Sequence, residues 1–504
     1  MQNAADEGMA SSPTPATDPA APAPGVRRGA ILALVVLGSM NLLDYMDRNI
    51  LSAVLPQVQA TFKLPDDAAG KLATCFLVSY SIMGPIMGWA ADRLRRTYLL
   101  AGGVGVWAIA TLGTGLAQDY NHLWYARCFL GIGEATYGVI APTILMDLFS
   151  RQARSRVMSA FYLAMPLGTA VGMILGGQIA PIPADVRTAK LEQLLGSGFA
   201  QMTAPFESWQ LAFFLVGIPA LLSVVGAFLI EEPRRGASEG FDDRKLEAFD
   251  RQRPTQADYL DLSVNSSYTY TVLGLTAYTF AIGGLVFWFP SFLSSTRGFK
   301  QEEATLALGV ITLIAAILGM SLGGWLADRL ARKDVRALFL VPGIAMLLGL
   351  PAFILALFAK QQALVFAGIF VAETLMFVNT GPCSAIIGNV VQPNMRAVAL
   401  AVAIAAQHFL GDIWSPWLIG LISDRFGTDA AMQSTIGQWL AAIGATPTPR
   451  ADLPIGRNLL AGLLILVPAI LLSSLVLISG ARHLKREMSL MLAKMRAAKA
   501  PANG

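Results

Sequence analysis

Histidine and cysteine are scarce, three of each among 504 residues. Cys75, Cys128 and Cys383 fall inside apolar runs with no paired spacing. That excludes a disulfide framework, and no Cys or His cluster has the spacing of a metal site. The three cysteines read as small packing residues. Charge is also sparse: Asp, Glu, Lys and Arg make up 14% of the chain, against about 25% in a soluble domain. A phosphate-cradling Gly-Lys-Ser loop is missing, which argues against ATP-driven pumping. Gly102-Gly103-Val104-Gly105 lies within an apolar run and reads as helix packing, not as a nucleotide fingerprint. Nothing points to a soluble enzyme, so no catalytic residue, metal, cofactor or nucleic-acid partner is expected.

What remains is apolar. Hydrophobic residues make up 55% of the chain and the mean hydropathy is +0.56. A bilayer is crossed by about 20 apolar residues in a helix, so the chain reads as an all-α protein with many spans. Twelve apolar segments are expected at about 30–58, 68–91, 97–117, 122–149, 154–181, 209–230, 267–294, 303–327, 335–358, 362–390, 396–423 and 456–480. The domain boundaries follow. Residues 1–26, rich in Ala and Pro, form a disordered tail, and 27–230 a first six-helix bundle. A polar linker at 231–266 precedes a second bundle at 267–480, and 481–504 is a basic tail. Leu484, Met488, Met491 and Met495 recur there at helical spacing, the pattern of an amphipathic helix on a membrane surface or of a solvated tail. Two longer loops are expected at 182–208 and 424–455.

Of the 37 Lys and Arg, 25 flank the spans on the side carrying both chain ends and 10 on the other. Basic residues concentrate on the cytoplasmic side, so both termini are expected inside. The Ala- and Arg-rich composition leans towards a bacterial inner membrane, and a monomer is expected.

Charges inside the spans are costly, about 2.5–3.5 kcal/mol each at a helix centre on insertion scales. Asn41, Asp44 and Arg48 share one helical face, with Asp47 adjacent. Arg127, Gly131, Glu134 and Gly138 line another. Glu134 is the first choice for a titrating group, because a nearby Arg48 or Arg127 would change its proton affinity between two conformations. Arg48 could instead fork onto an anionic head-group, or the charges could form a permanent structural pair. In the second half Glu373 leads a face with Phe377, and Asn379 and Pro382 suggest a locally irregular helix. His408 and Asp412 lie four apart and could hydrogen-bond. An apolar surface for a lipid tail would come from Tyr278, Phe280, Phe287, Trp288 and Phe289, with Tyr45, Tyr137, Phe161, Tyr162, Trp414 and Trp417. Any membrane protein also carries such aromatics at its interfaces. Gly168, Gly172 and Gly176 are helix-packing positions.

One stretch occurs twice. Gly88-Trp89-Ala90-Ala91-Asp92-Arg93 returns as Gly324-Trp325-Leu326-Ala327-Asp328-Arg329. A shorter likeness, Gly420-Leu421-Ile422-Ser423-Asp424-Arg425, falls at the opposite membrane face, as nested inverted repeats would produce. The first two resemble the G-x-x-x-D-R loop of the major facilitator superfamily, departing from it at Leu94 and Leu330. Gly131-Ile132-Gly133-Glu134-Ala135-Thr136-Tyr137, with Ile140-Ala141-Pro142-Thr143-Ile144 and Asp147-Leu148-Phe149, is similar to the fourth helix of the spinster family within that superfamily. Asp47-Arg48, Arg154-Ser155-Arg156, His408-Phe409-Leu410-Gly411-Asp412 and Ser415-Pro416 are similar as well.

The resemblance implies two pseudo-symmetric six-helix bundles and transport by alternating access. It implies a lysophospholipid, sphingosine phosphate or related amphipathic lipid as substrate, with protons as energy source for some members. On this reading Asp44, Asp47, Arg48, Arg127, Glu134, His408 and Asp412 form the coupling network. Tyr45, Arg48, Tyr137, Tyr278, Trp288, Glu373, Phe377 and Asn379 face the substrate. Gly88, Asp92, Arg93, Asp147, Gly324, Asp328 and Arg329 latch the cytoplasmic face. A proton-coupled carrier of a small organic anion or drug, and a non-transporting receptor or passive lipid channel, are the alternatives.

Overall fold

The computed structural model describes residues 29–91, 93–149, 151–233, 262, 264–391, 395–450 and 453–499. The expected N-terminal tail, most of the linker, and Asp92 lie outside them. In the first half α1 is Ala30–Phe62, α2 Asp66–Ala91, α3 Arg96–Gly115, α4 Tyr120–Leu148 and α5 Arg151–Ile179. The loop that follows carries α6 (Ala184–Leu195) and α7 (Ser197–Thr203) before α8 (Ser208–Phe228) closes the bundle. The second half opens with α9 (Ser266–Ser291), which runs on as a π turn at Phe292–Thr296. It continues with α10 (Gln301–Ala331), α11 (Ala337–Phe358), α12 (Gln362–Phe377) and α13 (Thr380–Val390). After α14 (Arg396–Gln407) come a π turn at His408–Asp412 and α15 (Ser415–Arg425), then the short α16 (Asp429–Met432) and α17 (Thr435–Ala442). The chain finishes with α18 (Leu459–Leu463) and α19 (Leu466–Lys499).

Eleven helical stretches among the described residues are long and apolar enough to cross a membrane. The eleventh unit in chain order, expected as one helix at 396–423, is instead α14 and α15 joined by the π turn. Here Gly411 and Pro416 interrupt the regular backbone. The tenth unit breaks between Phe377 and Thr380. With these, six units pack on each side of the molecule, the two-bundle fold expected from the sequence.

The basic tail is not a separate surface helix. α19 runs unbroken for 34 residues, about 51 Å at 1.5 Å per residue, past an apolar core of about 30 Å. Leu484 is buried and Met488 packs beside it, so this part of the helix is held by the second bundle.

Within the first bundle α5 lies along α1 so closely that a side chain at Gly172 would collide with the Met46 carbonyl oxygen. Small residues permit such backbone contact where lipid offers no hydrophobic driving force. The two bundles meet at the face carrying the end of α1 and the start of α2. There α2 packs on α15 and α5 on α10. Gln178 Nε2 donates to the Glu302 carbonyl at 3.0 Å, and the Gln301 side chain donates to the Ala53 carbonyl at 2.5 Å. Among the described residues, no hydrogen bond joins the bundles at the other face, which carries the Gly88 and Gly324 loops. The molecule is therefore sealed at one face. We call the sealed side the opposite face and the other the terminal face.

Candidate functional site

A cavity of about 340 Å³ lies between the bundles. Its first-half wall includes Tyr45, Arg48, Asn49, Phe76, Arg127 and Thr169; its second-half wall includes Ile282, Val286, Phe287, Thr312, Phe377 and Asp412. The polar groups converge on the first-half side and the remaining walls are largely apolar.

Arg48 is the centre of that side. Its Nε donates to Glu134 Oε2 at 2.6 Å, while Asp44 Oδ2 stands 3.4 Å away. The shorter contact identifies Glu134 as the direct partner. Three aromatic rings surround the guanidinium, with Tyr80 at 4.7 Å, Tyr45 at 5.0 Å and Phe76 at 5.3 Å from Cζ to centroid. Ring faces attract a cation, so this cage holds Arg48 while leaving it on the cavity wall. Glu134 is fully buried. α2 and α4 come together there because Gly131 presses directly on the backbone of Phe76 and Tyr80.

Asp47 points away from Arg48. Its Oδ2 accepts a hydrogen bond from Trp107 Nε1 at 2.8 Å and a short one from the Thr111 hydroxyl, both on α3. Arg127 is buried over the Phe76 ring, with Cζ 5.1 Å from its centroid. Its Nε and Nη1 have no hydrogen-bond partner among the described residues. In the second half His408 Nδ1 lies 3.0 Å from both oxygens of Asp412, and the His408 ring meets the Tyr80 ring of the first bundle edge-on, with centroids 5.7 Å apart. Glu373 is buried behind the wall and its Oε2 has no partner among the described residues.

Tyr45, Arg48 and Phe377 line the cavity, but Tyr137, Trp288 and Asn379 do not. Tyr137 donates its hydroxyl to the Leu37 carbonyl at 2.6 Å and is buried between Trp107 and Phe161. Trp288 is buried and donates to the Pro416 carbonyl at 2.8 Å. Asn379 turns back onto the Met376 carbonyl at 2.8 Å. Each aromatic or amide found a backbone acceptor, which is the usual fate of a polar tip in an apolar interior. Tyr278 is partly buried and packs against the neighbouring core.

The latch residues are scattered. Arg93 folds back on its own helix, donating to the Trp89 carbonyl at 3.0 Å and lying over the Trp89 ring. Asp147 pairs with Arg96 at 2.7 Å, and Gly88 touches Val139 only loosely. Asp328 is exposed without an ion pair among the described residues, and Arg329 lies over Trp325. Beside Gly324 there is open space. Sequence reasoning missed Tyr80, Trp107 and Thr111, although Phe76–Tyr80 and Trp107–Thr111 share the i, i+4 spacing that puts two side chains on one helix face.

Two bundles enclosing a cavity with buried, opposed charges define a secondary transporter of the major facilitator type. The Major Facilitator Superfamily model matches residues 37–416. Protein spinster homolog 1 of Bos taurus is 34% identical over 417 residues, covering 79% of this chain and 74% of that protein. Protein spinster homolog 3 of Danio rerio is 34% identical over 437 residues, covering 83% and 82%. The crystal structure of a bacterial homolog to the human lysosomal transporter Spinster, in an inward-facing and unoccupied conformation, superposes with a TM-score of 0.78. It does so at 21% identity, over 92% of this chain and 99% of that one. The chain belongs to the spinster family of the Major Facilitator Superfamily.

Proposed function

We propose that this transporter works by alternating access and moves an amphipathic, anionic lipid-like molecule, a lysophospholipid or sphingolipid relative, with protons as the driving ion. One observation carries the reading. Arg127 presents a buried guanidinium beside the cavity with two nitrogens unpartnered among the described residues, while Phe287, Val286, Ile282 and Phe377 make the facing wall apolar. A guanidinium in an apolar site favours an anion with planar or tetrahedral oxygens, and the apolar wall suits a hydrocarbon chain. Glu134 supplies the proton site: a carboxylate bonded to Arg48 in one conformation and freed in another changes its proton affinity. The distribution of Lys and Arg supports a cytoplasmic terminal face, and we assign the protein to a bacterial inner membrane as a monomer.

The volume of about 340 Å³ also suits a small organic anion, which stands as the second reading. The test is uptake of a labelled lysophospholipid by purified protein in liposomes, with and without a pH gradient, for wild type and Glu134→Gln. Gradient-stimulated uptake lost in the variant, with lipid binding retained, is the expected result. Uptake indifferent to both gradient and substitution rules out coupling through Glu134. Absence of lipid uptake, with gradient-driven uptake of a soluble anion, gives the second reading instead.

A further inference from the structure

The shorter likeness of the repeated stretch, Gly420–Arg425, is engaged across the bundle interface. The Asp424 carboxylate accepts the backbone N–H groups of Asp66 at 3.1 Å and Asp67 at 2.7 Å, at the first turn of α2 in the other bundle. Leu64 and Pro65, which precede that turn, carry no side-chain oxygen to cap it. A helix start leaves backbone donors unsatisfied and attracts negative charge, so α2 takes its cap from α15 across the bundle interface. The backbones touch to make this possible. A side chain at Gly70 would come within 2.5 Å of the Pro416 carbonyl oxygen, and one at Gly420 would strike the Asp66 carbonyl oxygen.

Beneath the cap sits a second layer. Asp66 is fully buried. Its Oδ1 pairs with the Arg450 guanidinium at 2.5 Å and accepts from Arg457 at 2.8 Å and Gln59 at 2.8 Å, and its Oδ2 accepts from the Ser423 hydroxyl at 2.6 Å. Three of those four partners belong to the second bundle. Arg450 Nη2 also reaches Asp424, at 3.1 Å. It therefore stands between the carboxylate of each bundle.

We propose that Asp424, Asp66 and Arg450 are the gating residues of the opposite face, and that Arg450 makes the gate reversible by exchanging partners. When the bundles part there, Asp66, Arg457 and the α2 donors become hydrated together while Arg450 stays with Asp424 inside its own bundle. No charge is then left buried and bare, a state that would otherwise block opening. Removing Arg450 leaves Asp66 and Asp424 facing each other with a single guanidinium, and their repulsion favours the parted state. This rests on the alternating-access reading, but its readout needs no substrate.

The experiment places spin labels at Lys190→Cys on α6 and Ala430→Cys on α16, both exposed on the opposite face, after replacement of Cys75, Cys128 and Cys383. Interlabel distances are measured in liposomes for otherwise wild-type protein, Asp424→Asn, Arg450→Gln and the double variant. A several-fold rise in the long-distance population is expected for each single variant. The double variant should return towards wild type relative to Arg450→Gln, because one of the two opposed charges is gone. Melting temperatures and, for variants that shift, uptake rates complete the set. Unchanged distances in every variant overturn the proposal. So do lower melting temperatures without a distance shift, which make the cluster a structural contact only. Additive effects of the two substitutions overturn the partner-exchange role of Arg450. Shifted distances with unaltered uptake would leave the gate standing and sink its control of transport.

Discussion

At the scale of single residues, two carboxylates in one turn of α1 have opposite surroundings. Asp44 stays near the Arg48 guanidinium, whereas Asp47 is turned outward onto α3, where Trp107 and Thr111 donate to it. A buried carboxylate depends on every donor it has, and removing one exposes the desolvation cost of the group. Thr111→Val keeps the shape of the side chain and deletes only the hydroxyl. It is expected to cost about 1–3 kcal/mol, seen as a lower melting temperature in detergent. In an Asp47→Ala background the same change should cost less, since only the bond to the Trp107 carbonyl at 3.0 Å is then left to lose. Equal losses in both backgrounds would show that Thr111 matters through packing instead. The pairing of Arg48 with Glu134 was legible because charges stand out in apolar runs. Tyr137 and Trp288 were not separable from cavity residues, since their direction depends on which carbonyl of a distant helix lies within reach.

At the scale of elements, several helices are capped from a distance. Glu487, near the end of the chain, accepts the N–H groups of Ser266 at 2.9 Å and Ser267 at 2.7 Å, at the start of α9. Glu232, just after α8, accepts the Arg96 N–H at 2.8 Å and the Thr97 hydroxyl at 3.1 Å, at the start of α3. Burial pushes the Glu232 carboxyl up, but these donors and the Arg96 guanidinium outweigh it and hold the group below its ordinary value of 4.5. A carboxyl whose folded value is depressed stabilises the protein above its unfolded value, and that share is lost as pH falls through the lowered one. Glu232→Gln should therefore melt below wild type at neutral pH, with the gap narrowing as the pH drops past about 4.5. A gap that is constant with pH would assign the effect to the neutral hydrogen bonds. The spans themselves were legible from hydropathy. The break at His408–Asp412 was not, because a π turn inserts one residue without altering composition. The C-terminal stretch expected as a surface helix or a solvated tail belongs to α19 itself, since Leu484 and Met488 find partners in the second bundle that no local pattern records.

At the scale of the whole molecule, the two faces are unequal. The opposite face is closed by backbone contact through glycines and by a buried ionic cluster. At the terminal face no hydrogen bond between the bundles occurs among the described residues. From the sequence the latch was expected at Asp92 and Asp328, and neither Arg450 nor Arg457 stood out. Neither could: Asp66 lies nearly four hundred residues from its arginine partners, and such pairings leave no periodic trace. Alternating access requires the sealed interface to separate during each cycle. α5 and α10 offer a direct test, since Gly177 presses on Thr305 and Gln178 bonds to the Glu302 carbonyl. Gln178→Cys with Glu302→Cys, in protein freed of Cys75, Cys128 and Cys383, should cross-link with a short thiol reagent. Transport should stop on cross-linking and return on reductive release if the spacer is cleavable, while the single-cysteine variants remain active. Undiminished uptake by fully cross-linked protein would mean that these helices stay together throughout the cycle, and that the substrate path does not open between them.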